Sequence, residues 1–349
     1  MLAGVPGERL LYASRMDRPL RIGLLGAARI APFALLSPAR QVPQVQVAAI
    51  AARDSERASA FAKKHGVPRV FNSYAALIDD PAIDAIYNPL PNALHAEWTL
   101  RALAAGKHVL CEKPFTSNAA EAERVADAAT AAGRVCMEAF HYRYHPLAEH
   151  IVALVRSGEL GAVRRVETFM CIPLPFRSDI RYQLALGGGA MMDVGSYAVS
   201  MARHFSGEEP TVDAAHATLI SPGVDRRMEV ELRFPSGATG RAIASLWSAT
   251  LLRIAAHIEC ERGVIKAWNP VAPQLYHHLT VTTPTGRRRL RFPRVATYTC
   301  QLRAFAAAVQ QGRTLPTDSA DAVKNMRVID ATYRAAGLEP RPSLPSSGG

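Results

Sequence analysis

Between residues 21 and 138 the chain alternates short apolar runs with amphipathic helical stretches, a rhythm that calls for a parallel, doubly wound sheet. Residues 21–25, 45–51, 85–87, 108–111 and 135–138 read as buried strands, and 55–65, 73–78, 93–105 and 119–132 as the helices between them. Asp54 or Ser55 stands where a cap opens the first of these helices, and Gly106 and Gly133 follow the last two. The first strand runs straight into Gly26-Ala27-Ala28-Arg29-Ile30-Ala31, which has the form of a dinucleotide loop with Ala28 in place of the second glycine. Gly26 permits the tight turn, the small Ala28 lets backbone approach a pyrophosphate, and Arg29 and Ile30 open a helix whose N–H groups face the phosphates. About 20 residues on, an NAD site usually presents a carboxylate to the ribose. Here the second strand ends Ala51-Ala52-Arg53, so a guanidinium stands at that point and favours the 2′-phosphate of NADP, with NAD the alternative. Asp54 is better placed as a helix cap.

The texture changes after residue 142. A helix at 150–157, a strand at 163–172 and a Pro/Arg loop at 173–182 lead to Gly187-Gly188-Gly189, which opens a helix to Phe205. From 212 to 292 strand-like runs follow one another across Pro-Gly, Ser-Gly, Arg-Gly and Thr-Gly turns, so this half is a mostly antiparallel sheet. Helices at 298–311 and 319–336 close the chain. With 349 residues, two domains are expected: a Rossmann domain at 19–142 and a substrate-binding and oligomerisation domain at 143–338, with a disordered leader at 1–18 and a disordered tail at 339–349. Met16 is an alternative start to Met1.

No run reaches the roughly 18 apolar residues of a membrane span, and the leader has no signal-peptide pattern, so the chain reads as cytoplasmic. Five scattered cysteines without a CxxC pair suggest neither disulfides nor zinc, and no metal is expected. The net charge of +11 raises the question of nucleic acid. Its densest run, Arg287-Arg288-Arg289, lacks interleaved aromatics and reads as a solvated hairpin face.

Rossmann ligands sit at the carboxyl ends of strands. Here those ends are Asn88-Pro89-Leu90-Pro91-Asn92 with His95, then Glu112-Lys113-Pro114, then 138–145. Lys113 is placed to hydrogen-bond a substrate hydroxyl and depress a neighbouring acid. In Gly187-Gly188-Gly189-Ala190-Met191-Met192-Asp193-Val194-Gly195-Ser196-Tyr197, a helix from about Ala190 puts Asp193 and Tyr197 on one face. A phenol beside a lysine becomes able to shuttle a proton near neutrality.

Together these segments resemble the glucose–fructose oxidoreductase/inositol dehydrogenase (Gfo/Idh/MocA) family over residues 20–338, most closely its trans-1,2-dihydrobenzene-1,2-diol dehydrogenase and NADP-dependent D-xylose dehydrogenase branch. The resemblance implies hydride transfer at a carbinol or carbonyl carbon of a sugar, cyclitol or dihydrodiol, with Lys113, Asp193 and Tyr197 as catalytic residues. It implies that Tyr197 replaces the family's commoner histidine. Pro91, Asn92 and His95 would line the nicotinamide, and Arg143, with His145 nearby, would contact cofactor or substrate. Arg177, Asp179 and Tyr182 would shape the substrate pocket, with Tyr142 beside it. Assembly as a dimer or tetramer through the second domain's sheet is implied too. Two rivals stay open: a relative that holds NAD permanently and acts as a glycosidase or epimerase, and a non-catalytic dinucleotide sensor.

Overall fold

The computed structural model describes residues 18–343. Leu20–Leu25 (β1), Val45–Ala51 (β2), Val70–Phe71 (β3), Ala85–Asn88 (β4), His108–Cys111 (β5) and Cys136–Glu138 (β6) form an all-parallel sheet in the order β3-β2-β1-β4-β5-β6. Strand order reverses between β1 and β4, and at such a switch point the loops after the strands part to leave a crevice. A π-helical turn, Pro32–Leu36, continuing as Ser37–Ala39 (α1), follows β1. Ser55–His65 (α2), Tyr74–Asp79 (α3), His95–Ala104 (α4) and Ala119–Ala132 (α5) connect the later strands. Asp54 caps α2, accepting from the N–H groups of Glu56 and Arg57 at 3.0 Å each, as its sequence position suggests.

The second domain opens with Pro146–Arg156 (α6). Its eight-stranded sheet comprises Val163–Cys171 (β7), Thr211–Ser221 (β8), Val224–Arg233 (β9), Thr239–Ser245 (β10), Arg253–Cys260 (β11), Gly263–Trp268 (β12), His278–Thr283 (β13) and Gly286–Leu290 (β14). Only β7 and β10 pair in parallel; the rest of the sheet is antiparallel. Strand alternation sends Val166, Thr168 and Met170 inward, where Ser196–Ser206 (α7) covers them, and leaves Arg165 and Glu167 on the outer face. The expected hairpin of Arg287, Arg288 and Arg289 is β14, with all three exposed and Arg288 paired to Glu159.

The last two helices, Thr297–Gln311 (α8) and Ser319–Ala335 (α9), return to the first domain. Leu302, Phe305 and Ala306 of α8 pack with Ile22, Leu24, Tyr87 and Leu110 of the parallel sheet, while α9 lies on α5. Both helices fall on the second-domain side of a 142/143 boundary, yet α8 packs on the parallel sheet, and α9 lies on α5 as well as on β8. The supposed tail also needs correcting. Residues 344–349 lie outside the described residues, but Arg341 is buried and pairs with Asp225 at 2.8 Å. Residues 1–17 are likewise outside the described residues, whereas Arg18 is anchored. It donates to Asp84 at 2.8 Å, and Asp84 also accepts from the Arg21 backbone at 2.9 Å.

Burial works against the Asp84 charge, but hydrogen bonds from Arg18 and Arg21 outweigh it and hold the carboxyl at about 2. A depressed folded value stabilises the fold above the ordinary carboxylate range, and that stabilisation is lost as pH falls through about 2. Asp84→Asn should therefore lower stability at neutral pH and flatten the decline between pH ~4 and ~2, read by denaturant titrations across that window.

Candidate active site

Lys113, which follows β5, reaches across the crevice. Its Nζ donates to Asp193 Oδ1 at 2.9 Å and to the Asp193 carbonyl at 2.8 Å. The Lys113–Pro114 peptide is cis. The other Asp193 oxygen, Oδ2, meets Nε of Arg181 at 2.9 Å, and Arg181 in turn contacts Asp179. Burial raises the cost of the Asp193 charge, yet Lys113 and Arg181 more than offset it and hold the carboxyl below its ordinary range.

Asp193 does not lie on the regular helix expected from Ala190. Met191–Gly195 is π-helical, and α7 begins only at Ser196. The wider turn brings the Asp193 carbonyl to Lys113 and still leaves Tyr197 in the first turn of α7. The two side chains from opposite domains meet, with Lys113 Nζ 5.0 Å from the Tyr197 ring centroid. The phenol oxygen lies 2.9 Å from His141 Nε2. The expectation that Lys113 brings the phenol toward neutrality is corrected. Burial pushes Tyr197 well above its ordinary value, and Tyr298, Glu112 and Asp193 push the same way. The ammonium is engaged by Asp193 and sits over the ring face, so the resting phenol is firmly protonated.

The glycine turn ahead of Asp193 is braced from behind. Gly189 has φ +131°, and an added Cβ would collide with Asp225 and Arg341. Asp225 accepts from Met191 N at 2.7 Å and from the Tyr333 hydroxyl at 3.1 Å, while Arg341 Nε donates to the Gly188 carbonyl at 2.6 Å. At the crevice rim Asn92 Nδ2 donates to the Gly187 carbonyl at 3.0 Å, joining the two domains beside Pro91.

The phosphate loop keeps the expected form. Gly26 has φ +80° and donates to the Ala51 carbonyl at 2.6 Å. Among the described residues the N–H groups of Ala28, Arg29 and Ile30 have no internal acceptor, so they are free for a pyrophosphate. Arg53 is exposed beside the loop, and Arg57 reaches back to the Ala27 carbonyl at 2.9 Å. Three free amides with two guanidiniums fit a dinucleotide that carries a further phosphate.

Several expected contacts are placed elsewhere. Tyr142 is fully buried, its hydroxyl 2.9 Å from Ser200 Oγ and its ring against Phe205, so it is a core residue and not a substrate contact. Arg143 turns from the crevice to pair with Asp321 at 2.6 Å. It lines a separate cavity of about 1070 Å³, with Arg156, His204 and Arg303, that includes none of the crevice residues. His95 is buried with its ring nitrogens 2.7 and 2.8 Å from the Leu90 and Pro114 carbonyls, to one of which the neutral ring donates, so both nitrogens face crevice-loop backbone. Glu112 accepts from the Tyr87 hydroxyl at 2.7 Å, and both Glu112 and Pro89 are buried. His145 caps α6, its Nδ1 accepting from Leu147 N. In the loop, Arg177 is exposed, Asp179 anchors Arg181, and the Tyr182 hydroxyl donates to the Leu174 carbonyl at 2.8 Å. Arg181, Arg57 and His141 were not picked out from the sequence. For Arg57 a signal exists: it stands four residues after Arg53, in the exposed first turn of the helix that Asp54 caps. Among the described residues no three His, Cys, Asp or Glu side chains are grouped to hold a metal, and no helix is long and apolar enough to cross a membrane.

A dinucleotide-type sheet, an open second sheet and a Lys–Asp–Tyr cluster between them define a two-domain nicotinamide-dependent oxidoreductase. The family profile described as an oxidoreductase family with an NAD-binding Rossmann fold (GFO/IDH/MocA) matches residues 20–140, and its C-terminal domain matches 149–266. The chain belongs to this family. It is 41% identical over 321 residues to D-xylose 1-dehydrogenase (NADP(+)) 2 of Haloferax volcanii, covering 91% of this chain and 97% of that one. It is 35% identical over 232 residues to trans-1,2-dihydrobenzene-1,2-diol dehydrogenase of Xenopus tropicalis, covering 65% of this chain and 69% of that one. Among solved structures, a 3-ketoreductase from Actinomadura kijaniata in complex with NADP and TDP-benzene superposes with a TM-score of 0.84 at 30% identity, covering 91% and 98%.

Proposed function

We propose that this enzyme is an NADP(H)-dependent dehydrogenase that interconverts a carbinol and a carbonyl carbon of a free sugar, with an aldose such as D-xylose the first substrate to test. The observation that carries this reading is the meeting of Lys113, Asp193 and Tyr197 at the carboxyl end of the parallel sheet. Its relatives act on sugars or dihydrodiols, by name, which supports the substrate class.

The nicotinamide, when bound, gives or takes the hydride. The chain's own part is positional and protic. Lys113, fixed by Asp193, offers its remaining N–H to the substrate oxygen, and Arg181 keeps Asp193 charged so that the ammonium stays in place. The protonated Tyr197 phenol is ready to donate to a carbonyl oxygen, which is the reductive step; the oxidative step is its reverse. Glu112, the residue before Lys113, is buried and held by the Tyr87 hydroxyl at 2.7 Å. Assembly through the outer face of the eight-stranded sheet is part of the same reading.

The test is steady-state turnover of NADP+ with a panel of aldoses, cyclitols and a dihydrodiol. Reduction of the cofactor with an aldose supports the reading, and product formed without net change in nicotinamide absorbance overturns it. Cofactor choice has its own test. Arg57→Ala should weaken NADP+ binding about 10- to 100-fold, as loss of a charged hydrogen bond to phosphate implies, and leave NAD+ within about threefold. Equal losses for both cofactors would remove Arg57 from the 2′-phosphate site.

A further inference from the structure

Tyr197 is not the end of the polar chain in the crevice. Behind it, His141 presents Nε2 to the phenol oxygen at 2.9 Å and Nδ1 to Thr297 Oγ1 at 2.8 Å. All three side chains are buried, and they come from three separate parts of the fold: the turn after β6, α7 and the first residue of α8. The Tyr298 ring packs on the imidazole at 4.0 Å between centroids, fixing its plane. Around this pair stand Lys113 over the Tyr197 ring, Asp193 and Glu112 on the crevice side, and the Tyr142 ring at 6.2 Å. Burial, with a smaller contribution from Lys113, drives His141 down to about 3, so the ring is neutral and carries a single N–H.

We propose that His141, oriented by Thr297, is the positioning residue that donates Nε2–H to the Tyr197 oxygen and thereby aims the phenol's only proton at the substrate. The Thr297 hydroxyl donates to Nδ1, which leaves the ring proton on Nε2. With a ketone bound, the phenolic O–H bond breaks, its proton passes to the carbonyl oxygen, and the phenolate keeps the Nε2–H bond. With an alcohol bound, that same phenolate accepts the hydroxyl proton. One tautomer thus serves both directions without moving a heavy atom, and the anion it stabilises would otherwise face Lys113 against the nearby Asp193 and Glu112 carboxylates.

The inference rests on the proton-transfer role given to Tyr197 above, and the experiment separates the two. The probe is NADP+ with the aldose of the panel that turns over fastest, followed from pH 6 to 10. His141→Leu should lower kcat about 10- to 100-fold, move the rising limb of the oxidative pH profile up by about one unit, and leave KM for NADP+ unchanged. His141→Gln, whose amide N–H reaches the Nε2 position, should recover activity to within about fivefold and restore the limb. Thr297→Val should shift the limb in the same direction by a smaller amount. An unmoved limb in His141→Leu, or a glutamine variant no better than the leucine one, overturns the inference. If the leucine variant does not fold, an unmoved limb in Thr297→Val overturns it instead. Tyr197→Phe decides the parent reading: full activity there sinks both, whereas an inactive Tyr197→Phe beside an unshifted His141→Leu sinks only this one.

Discussion

Lys113→Met should lower kcat by about 10²- to 10⁴-fold while KM for NADP+ stays within about twofold. The side chain lies 15% exposed in the crevice, and among the described residues its ammonium is the one cation over the Tyr197 ring. Methionine fills the space of the stem but offers no N–H to a substrate oxygen. Lost activity will not reflect lost folding, because Asp193 keeps Arg181 as a partner at 2.9 Å and is not left as an unpaired buried charge. Lys113→Arg should rescue little, since a planar fork cannot reach the Asp193 carboxylate and carbonyl from the position of Nζ. Kinetics and thermal unfolding on the same preparations check this. Turnover within about threefold of the parent would remove Lys113 from the chemistry.

The largest effect on stability is expected from Arg341→Met. Arg341 and Asp225 are 1% and 0% exposed, and burial already pushes the Asp225 carboxyl upward against the pull of Arg341. Without the guanidinium, Asp225 loses its cation and keeps hydrogen bonds such as those from Met191 N and the Tyr333 hydroxyl, and the Gly188 carbonyl loses the Arg341 donor. Breaking one side of a buried pair costs about 3–5 kcal/mol. Pairing the change with Asp225→Asn, which removes the orphaned charge, should return part of that loss. Chemical denaturation of the single and double variants decides it. A single variant within about 1 kcal/mol of the parent would show the tail to be dispensable. Because this pair braces the turn that presents Asp193, activity should fall along with stability.

The parallel sheet was readable because its signals are local: apolar runs of strand length, an Asp54 cap, and glycines after helices. β3 was missed because two residues, Val70 and Phe71, are too short to show a period. Lys113, Asp193 and Tyr197 could be chosen because each stands at a strand end or on a glycine-marked turn. What could not be read was direction. Tyr142 and Arg143 adjoin His141 in sequence, yet the short turn His141–Tyr144 sends them toward Ser200 and Asp321 and leaves His141 facing Tyr197. Which of three consecutive residues enters the crevice depends on partners 56 to 178 positions away, and no local pattern encodes those. The protonation of Tyr197 was misjudged for a related reason: the lysine was visible, but the burial around it was not.

The return of α8 to the first sheet has a consequence for synthesis. While residues 18–296 emerge from a ribosome, Ile22, Leu24, Tyr87 and Leu110 have yet to meet Leu302, Phe305 and Ala306. The cofactor-binding half is thus made first but sealed almost last, and a transcript cut short before residue 306 would release a chain with that apolar surface bare, a target for chaperones and proteases.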